Sequence, residues 1–253
     1  MASHINDPDE FVVLVTGFLP FQQKFPVNPS WEIAKGLPSR LQPLRAKDAA
    51  DDTNGGGQTI DLPAVRILVH PEPLPVKYKP VRDLVPSLWD DTHQGRRVDA
   101  VIHIGMAGPR TSYLVERRAH RRGYRNVDVD CKLPEEGMDG RPNDPDWIWY
   151  DQPDEIVSDL DIDDVHARWQ ACSSKDMDLR ISEDAGHFLC DWVYYCSLSY
   201  LLRSKRPKKA CFLHVPCDTS DEQILQGREV TLNLIRAIAE SEMSQRQSRN
   251  RGT

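Results

Sequence analysis

The chain has 253 residues, a formal net charge of −7 and six cysteines. Its length suffices for the core of one α/β domain, and its acidic balance argues against a broad nucleic-acid-binding surface. The cysteines lack the paired spacing of a secreted disulfide framework, and no apolar run reaches the length of a membrane span. The polar first ten residues are unlike a signal peptide. We therefore expect a soluble, cytoplasmic protein without a membrane partner.

Strand and helix patterns alternate along the chain. Apolar runs predict buried strands at 11–16, 99–105 and 210–216, and shorter strand patterns occur at 65–70 and 178–181. Periodic apolar residues and capping signals predict helices from 29, at 81–89, at 163–173, from 189 and from 220. This alternation predicts an α/β fold with a twisted, mostly parallel sheet and helices on both faces.

Composition sets the expected limits of the domain. The segments are a flexible N-terminus at 1–10, a single domain at 11–243 with a surface insertion at 47–58, and a disordered tail at 244–253.

Ligands of open α/β sheets bind beyond the carboxyl ends of the strands. Four predicted strands lead into residues of chemical interest, namely Gly17, Gly105, Cys190 and His214. We expect these four strand ends to gather at one edge of the sheet.

Cys190 stands on the first turn of a predicted helix, after the turn Glu183-Asp184-Ala185-Gly186. Unpaired amide N–H groups and the positive end of the helix dipole favour a thiolate there, and the thiolate is the nucleophilic form of cysteine. A cysteine under a helix is as often a small apolar core residue, so this stretch alone leaves both interpretations open.

A nucleophilic cysteine needs a base that takes its proton and returns it to a leaving amine, a task suited to histidine. The candidates are His103, His120, His187 and His214. His214, at the carboxyl end of a strand, is best placed, whereas His103 lies mid-strand, where a hydrogen-bonded core histidine is expected. Either Glu116 or Asp191 could orient the ring of His214.

The spacing Cys211-x-x-His214-x-x-Cys217 resembles that of a metal site. Residues three apart on a strand point to opposite faces, so Cys211 and His214 could not bind one ion. We predict no metal site here.

Four ordered segments of the chain share motifs with one enzyme family. They are Thr16–Phe21 with Val27–Glu32, His103–Gly108 running on to Glu116-Arg117, Asp184–Gly186 with Leu189-Cys190, and Phe212–Pro216. Together they resemble the pyroglutamyl peptidase I family of cysteine peptidases, over most of the chain from Phe11 to about Ala239.

The resemblance implies a single α/β/α sandwich that removes N-terminal pyroglutamate (5-oxoproline) from peptides, with no metal or cofactor. It implies that Cys190 is the nucleophile, His214 the base and Glu116 the residue that orients the base. The implied apolar walls of the pocket for the pyroglutamyl ring are Phe18, Phe21, Phe188, Leu133 and Met106.

The chain departs from the bacterial pattern, which usually has glycine and asparagine where this sequence has Gln22 and Asp191. Its segment 117–131 is also longer and more basic than theirs. Asp191 and the pair Tyr194-Tyr195 are more similar to the eukaryotic branch of the family.

Three alternatives remain at this stage. The chain could be a catalytically weak homologue that binds pyroglutamyl peptides, or a nucleosidase or phosphorylase on a similar sheet. The latter would need a glycine-rich phosphate loop, whereas the loop after Gly17 is aromatic. The arginines within 117–125 could bind nucleic acid, but we expect a solvated surface that acidic residues offset. The sequence allows a monomer or a homo-oligomer.

Overall fold

The computed structural model describes residues 10–21, 25–41, 64–90, 97–134 and 148–251, except for the side chains of 250 and 251. The strands are β1 (Phe11–Thr16), β2 (Val65–Val69), β3 (Ala100–Met106), β4 (Tyr113–Glu116), β5 (Arg118–His120), β6 (Glu155–Val157), β7 (Leu179–Ser182) and β8 (Ala210–Val215). The helices are α1 (Pro29–Ala34), α2 (Tyr78–Asp90), α3 (Ile162–Ala171), α4 (Leu189–Arg203) and α5 (Asp221–Arg251). The predicted insertion at 47–58 and residues 1–9 lie outside the described residues.

Six strands form the central sheet in the order β2-β1-β3-β8-β4-β7, and β5 and β6 form a separate antiparallel pair. β1, β2, β3 and β8 are mutually parallel. β4 pairs antiparallel with β8 and parallel with β7. The sheet is therefore mostly parallel, as predicted, with two reversed strands at one edge.

Alternating strand residues divide the core into two layers, because successive side chains of a strand point to opposite faces. Val12 and Leu14 of β1 pack with α2 and α4, whereas Val13 and Val15 pack with α1, α3 and α5. Helices thus cover both faces of the sheet, and the fold is an α/β/α sandwich.

Both predicted domain limits need correction. Glu10 is buried and forms ion pairs with Arg40 and Arg66, so it belongs to the folded domain and not to a flexible N-terminus. The expected disordered tail is wrong for 244–251, because α5 continues to Arg251. Arg and Gln are good helix formers, so a polar segment can prolong a helix that is already anchored upstream.

The expectation that four strand ends meet at one edge holds for β1, β3 and β8 and is wrong for β7, which runs the opposite way. Ser182 at the end of β7 is in register with Glu116, which is in register with Phe212. The chain therefore leaves β7 only two residues below the level of His214. Because β7 ends so close to the level of His214, the turn and helix α4 that follow it can bring Cys190 near His214.

In the described part of the chain, no helix combines the length and the apolar character needed to span a bilayer.

Candidate active site

Side chains alternate between the two faces of a strand, and this alternation brings one set of them to the face covered by α4. In β8, Phe212 packs on this face and Cys211 on the other, so His214 faces α4. The same alternation in β4 and β3 directs Glu116 and His103 toward α4 and puts Gly105 on that face. Cys211 and His214 thus lie on opposite faces, as the argument against a metal site predicted.

Cys190 is placed by the turn that precedes α4. Gly186 has a φ of +78°, a conformation that favours glycine, and its N–H donates to the carboxylate of Asp184 at 2.8 Å. Phe188 occupies the N-cap of α4 without a side-chain hydrogen bond to the first turn. The amide groups at the helix start are therefore not capped by the Phe188 side chain, and Cys190 lies among them.

Gly105 makes room for the thiol. A side chain here would lie 2.6 Å from the Phe212 ring and 3.0 Å from Sγ of Cys190, and Gly105 is in register with His214. Its absent side chain therefore allows Sγ of Cys190 to approach the sheet next to His214.

His214 joins Cys190 to Glu116. Its Nδ1 lies 2.7 Å from Oε1 of Glu116, which leaves Nε2 to interact with Cys190. Burial lowers the pKa of His214, but the Cys190 thiolate and the Glu116 carboxylate outweigh it and raise that pKa to about 9. Glu116 hydrogen-bonds to the ring of His214, and the charges of Glu116 and Cys190 both stabilise the imidazolium.

Glu116 is itself fixed within the core. It is fully buried, and Tyr194 of α4 donates a hydrogen bond to its backbone oxygen at 3.1 Å. Oε2 of Glu116 has no hydrogen-bond partner among the described residues. Within that part of the chain, the Glu116 carboxylate therefore forms one hydrogen bond, from Oε1 to His214.

Asp191, the other candidate for orienting His214, has different partners. Its Oδ1 accepts a hydrogen bond from the N–H of His120 at 3.1 Å, and its Oδ2 accepts one from the hydroxyl of Tyr124 at 3.0 Å. Nδ1 of His187 lies 3.7 Å from Oδ2. His120 and His187, both sequence candidates for the base, therefore belong to the surroundings of Asp191, and Glu116 is the carboxylate at His214.

His120, His187 and Asp191 are the one group of possible metal ligands found among the described residues, with donor atoms within 4.8 Å of one another. Ligands of a tetrahedral zinc ion with bonds of about 2.1 Å lie about 3.4 Å apart. The spread is wide for such an ion, and both oxygens of Asp191 already accept hydrogen bonds. We interpret the cluster as a hydrogen-bonded carboxylate rather than a metal site.

The three phenylalanines that the resemblance places in the pocket differ in exposure. Phe18 is 3% exposed and belongs to the core on the α4 face. Phe21 and Phe188 are half-buried, with ring centroids 6.0 Å apart, and Tyr78 packs edge-on against Phe188 at 5.9 Å. Phe21 and Phe188 thus keep part of their ring surface accessible, Tyr78 packs against Phe188, and Phe18 lies in the core.

The loop that carries Phe18 is held by polar side chains that the sequence analysis did not assign to the site. The N–H of Phe18 donates to Oγ of Ser30 at 3.0 Å, and Ser30 donates to Asn28 at 2.8 Å. Asn28 in turn donates to the backbone oxygen of Leu19 at 3.0 Å. A side chain at Gly17 would lie 2.6 Å from the Ser30 backbone oxygen. The Asn-Pro-Ser segment was the available signal, since it supplies both the helix cap and these bonds.

The two remaining predicted pocket residues differ in position. Met106 is half-buried at the end of β3, in register with Val215 directly after His214. Leu133 is 38% exposed, beyond a loop whose Val129 donates a hydrogen bond to Val76. Leu133 therefore stays a prediction without a described contact to the phenylalanines.

Carboxylates lie against most of the arginines between 117 and 125. Arg117 pairs with Asp163 and Glu183, and Arg118 pairs with Glu155 and Glu183. Arg121 and Arg122 both contact Asp154. These pairs fit the expected surface offset by acidic groups, and the absence of nucleic-acid binding stays a prediction.

The sequence matches a family model described as pyroglutamyl peptidase over residues 46–234. Similar curated proteins include pyroglutamyl-peptidase 1 of Rattus norvegicus, 31% identical over 81% of this chain and 78% of the relative. Pyrrolidone-carboxylate peptidase of Thermococcus onnurineus is 29% identical over 81% of this chain and 82% of its own.

Two solved structures support the fold. A mutant pyrrolidone carboxyl peptidase from Pyrococcus furiosus superposes with a TM-score of 0.62 and 23% identity, over 93% of this chain and 99% of that one. The pyrrolidone carboxyl peptidase of Thermococcus litoralis gives 0.63 and 21%, over 90% and 93%. The family model, which spans more than half of the sequence, and the 31% identity to a curated relative decide the assignment: the chain belongs to the pyroglutamyl peptidase family.

Proposed function

We propose that this protein is a cysteine peptidase that removes N-terminal pyroglutamate from peptides, with Cys190 as nucleophile, His214 as general base and acid, and Glu116 as the residue that orients His214. The observation that carries the proposal is the 2.7 Å contact of Glu116 with Nδ1 of His214, together with the interaction of His214 with Cys190 at the uncapped start of α4. Membership of the pyroglutamyl peptidase family supports the choice of substrate.

The first half of the reaction uses the thiolate–imidazolium pair. The Cys190 thiolate attacks the carbonyl carbon of the pyroglutamyl group, and amide N–H groups at the start of α4 stabilise the oxyanion. His214 then gives its proton to the departing amine, the C–N bond breaks and a thioester remains on Cys190.

The second half hydrolyses the thioester. Neutral His214 accepts a proton from water, the resulting hydroxide attacks the thioester carbonyl, and the C–S bond breaks. Pyroglutamate leaves, and the Cys190 thiolate is again paired with the His214 imidazolium. Glu116 keeps Nδ1 of His214 protonated throughout, so that Nε2 faces the reacting groups.

Substrate choice follows from an uncharged, apolar subsite. The pyroglutamyl ring is a neutral lactam, which can lie against Phe21 and Phe188 without burying a charge. A free glutamine N-terminus has a similar size but carries an ammonium, and burying it unpaired costs several kcal/mol, on the order of 3–5. Phe18, Met106 and Leu133 complete the proposed walls, and amide hydrogen bonds would orient the lactam.

All six cysteines are free thiols, which supports a reducing compartment such as the cytoplasm as the place of action. The proposed partners are peptides that begin with pyroglutamate.

The test is turnover of pyroglutamyl-, glutaminyl- and prolyl-arylamides by the wild-type protein. We expect cleavage of the pyroglutamyl compound and at most about 1% of that kcat/KM for the other two, since the ammonium penalty of several kcal/mol corresponds to 10² or more. Phe188→Ala should lower kcat/KM through lost ring packing while Cys190 still reacts with iodoacetamide. The exposed Leu225→Ala, on α5, is the matched control and should retain wild-type turnover. Comparable cleavage of the pyroglutamyl and glutaminyl amides would refute the pocket, and no cleavage of any would refute the peptidase.

A further inference from the structure

Asp191 directly follows the nucleophile on the first turn of α4, and it is fully buried. A carboxylate at this place interacts with the same positive helix end that serves the Cys190 thiolate. Burial raises the pKa of Asp191, because an ionised carboxylate in the core is costly unless a partner compensates it. The charge of Asp191 therefore bears on the nucleophile next to it.

The partners of Asp191 come from β5 and the loop after it. His120 at the end of β5 contributes two donors, its backbone N–H at 3.1 Å and its Nδ1 at 3.4 Å from Oδ1. Tyr124 donates to Oδ2 and also to the backbone oxygen of His120 at 2.5 Å, which fixes this loop against the helix. His187 approaches from the turn before α4, but its Nδ1 is farther away at 3.7 Å and its side chain is 43% exposed.

We propose that His120 is a positioning residue of the active site, whose imidazolium neutralises the Asp191 carboxylate and so keeps the positive end of α4 available to the Cys190 thiolate. The proposal rests on the proposed function for its catalytic consequence, but its electrostatic core concerns Cys190 alone. We assign this role to His120 rather than His187 because the His120 side chain is only 17% exposed and because its backbone N–H and its ring Nδ1 both contact Oδ1 of Asp191.

The carboxylates near His120 favour its charged form. The hydrogen bond with Asp191 raises the pKa of His120, burial opposes it, and Asp184 and Glu155 add to the increase. His187 packs edge-on against the His120 ring with centroids 5.3 Å apart, and Tyr124 donates a hydrogen bond to the backbone oxygen of His120. As the pH rises through the raised pKa, His120 loses its charge and Asp191 becomes an uncompensated anion beside Cys190.

The experiment measures the pH dependence of Cys190 alkylation by iodoacetamide, which reports the thiolate directly. The proteins are the wild type, His120→Gln, Asp191→Asn and the double variant. In a protein that is otherwise wild type, we expect His120→Gln to raise the midpoint of the alkylation-rate curve against pH by about one pH unit. In the Asp191→Asn background the same change should move it little, because no carboxylate remains to be neutralised. At pH 7, His120→Gln alone should lower kcat on the pyroglutamyl-arylamide while KM stays within about twofold of wild type.

His187→Gln is the matched control, since it removes the other imidazole of the same cluster. Its shift should be smaller than that of His120→Gln, and an equal or larger shift would overturn the assignment to His120. Equal shifts of His120→Gln in both backgrounds would also overturn the proposal, because they would indicate a packing effect independent of the charge of Asp191. Alkylation needs no substrate, so a failure of the proposed peptidase activity is distinguishable from a failure of this inference.

Discussion

Two buried histidines on neighbouring strands differ in charge because of their partners. His103 on β3 is completely buried, with Nδ1 2.8 Å from the hydroxyl of Thr16 and Nε2 2.8 Å from that of Ser197. Burial lowers the pKa of His103 to about 3, and among the described residues no carboxylate hydrogen-bonds to its ring to offset this. The ring is a neutral link between β1, β3 and α4.

His214 lies two strand positions farther along, in register with Gly105, and is 7% exposed. Its ring contacts a carboxylate and a thiol instead of two hydroxyls, and this raises its pKa to about 9. Burial acts on both rings in the same direction, so the charged partners decide the sign of the shift. One sheet face thus holds a neutral histidine that links three elements and a charged histidine that we propose transfers protons.

The nucleophile provides the largest test of this difference. Cys190→Ala should lower kcat/KM on the pyroglutamyl-arylamide by on the order of 10³-fold or more, because no other described group at the site is a thiol beside His214. Iodoacetamide should label Cys190 before Cys172, whose pKa burial raises to about 11, and before Cys196 and Cys211, whose pKa values burial raises further. Peptide mass spectrometry after limited labelling measures the order.

Cys131→Ala removes an exposed thiol and is the control for this experiment. It should retain wild-type turnover. Near-normal activity of Cys190→Ala, or prior labelling of a buried cysteine, would contradict the role given to Cys190.

The partners of His214 provide the second test. His214→Ala should be nearly as damaging as Cys190→Ala, because the two groups act as a unit. Glu116→Gln should cost about 10²-fold, since it removes the charge that stabilises the imidazolium but leaves the base in place. In the wild type the imidazolium is present below about pH 9 and is lost as the pH rises through 9. Glu116→Gln should therefore move the alkaline limb of kcat/KM to lower pH, as a pH–rate profile would record.

Asp191→Asn distinguishes Glu116 from the other carboxylate near the nucleophile. It should leave the alkaline limb of His214 less displaced than Glu116→Gln does. A larger displacement by Asp191→Asn would assign the orienting role to Asp191 instead.

Sequence reasoning reached β1, β2, β3, β7 and β8 and the helix of Cys190, because apolar runs and capping residues are local signals. It missed β4, β5 and β6, since runs of three or four residues form too short a pattern, and with β4 it missed the reversed direction of that strand. Strand direction and neighbour order depend on packing across the whole sheet, which local patterns do not encode. For the same reason the sequence spacing could not decide whether Glu116 or Asp191 contacts His214. The face of β4 on which Glu116 lies decides it. The shielding of Asp191 by His120 is likewise a tertiary contact, between residues 71 positions apart.

The smallest expected effect concerns stability and distinguishes the two histidines by opposite pH windows. His103 has a folded pKa below its unfolded value of about 6.5, so the stability of the wild type falls as the pH decreases from about 6.5 toward 3, by up to about 1.4 kcal/mol per pH unit. His103→Gln should be less stable than the wild type at pH 7 by about 1–3 kcal/mol, because the hydroxyls of Thr16 and Ser197 lose a partner. This deficit should shrink at pH 5, where the wild type must keep a buried imidazole neutral.

The raised pKa of His214 has the reverse consequence: its contribution to stability is complete below about pH 6.5 and is lost as the pH rises through about 9. The deficit of His214→Gln should therefore shrink on the alkaline side and not on the acid side. Urea unfolding of both variants at pH 5, 7 and 9 measures these slopes, and slopes of the same sign would show that the two rings do not differ in charge as their partners require.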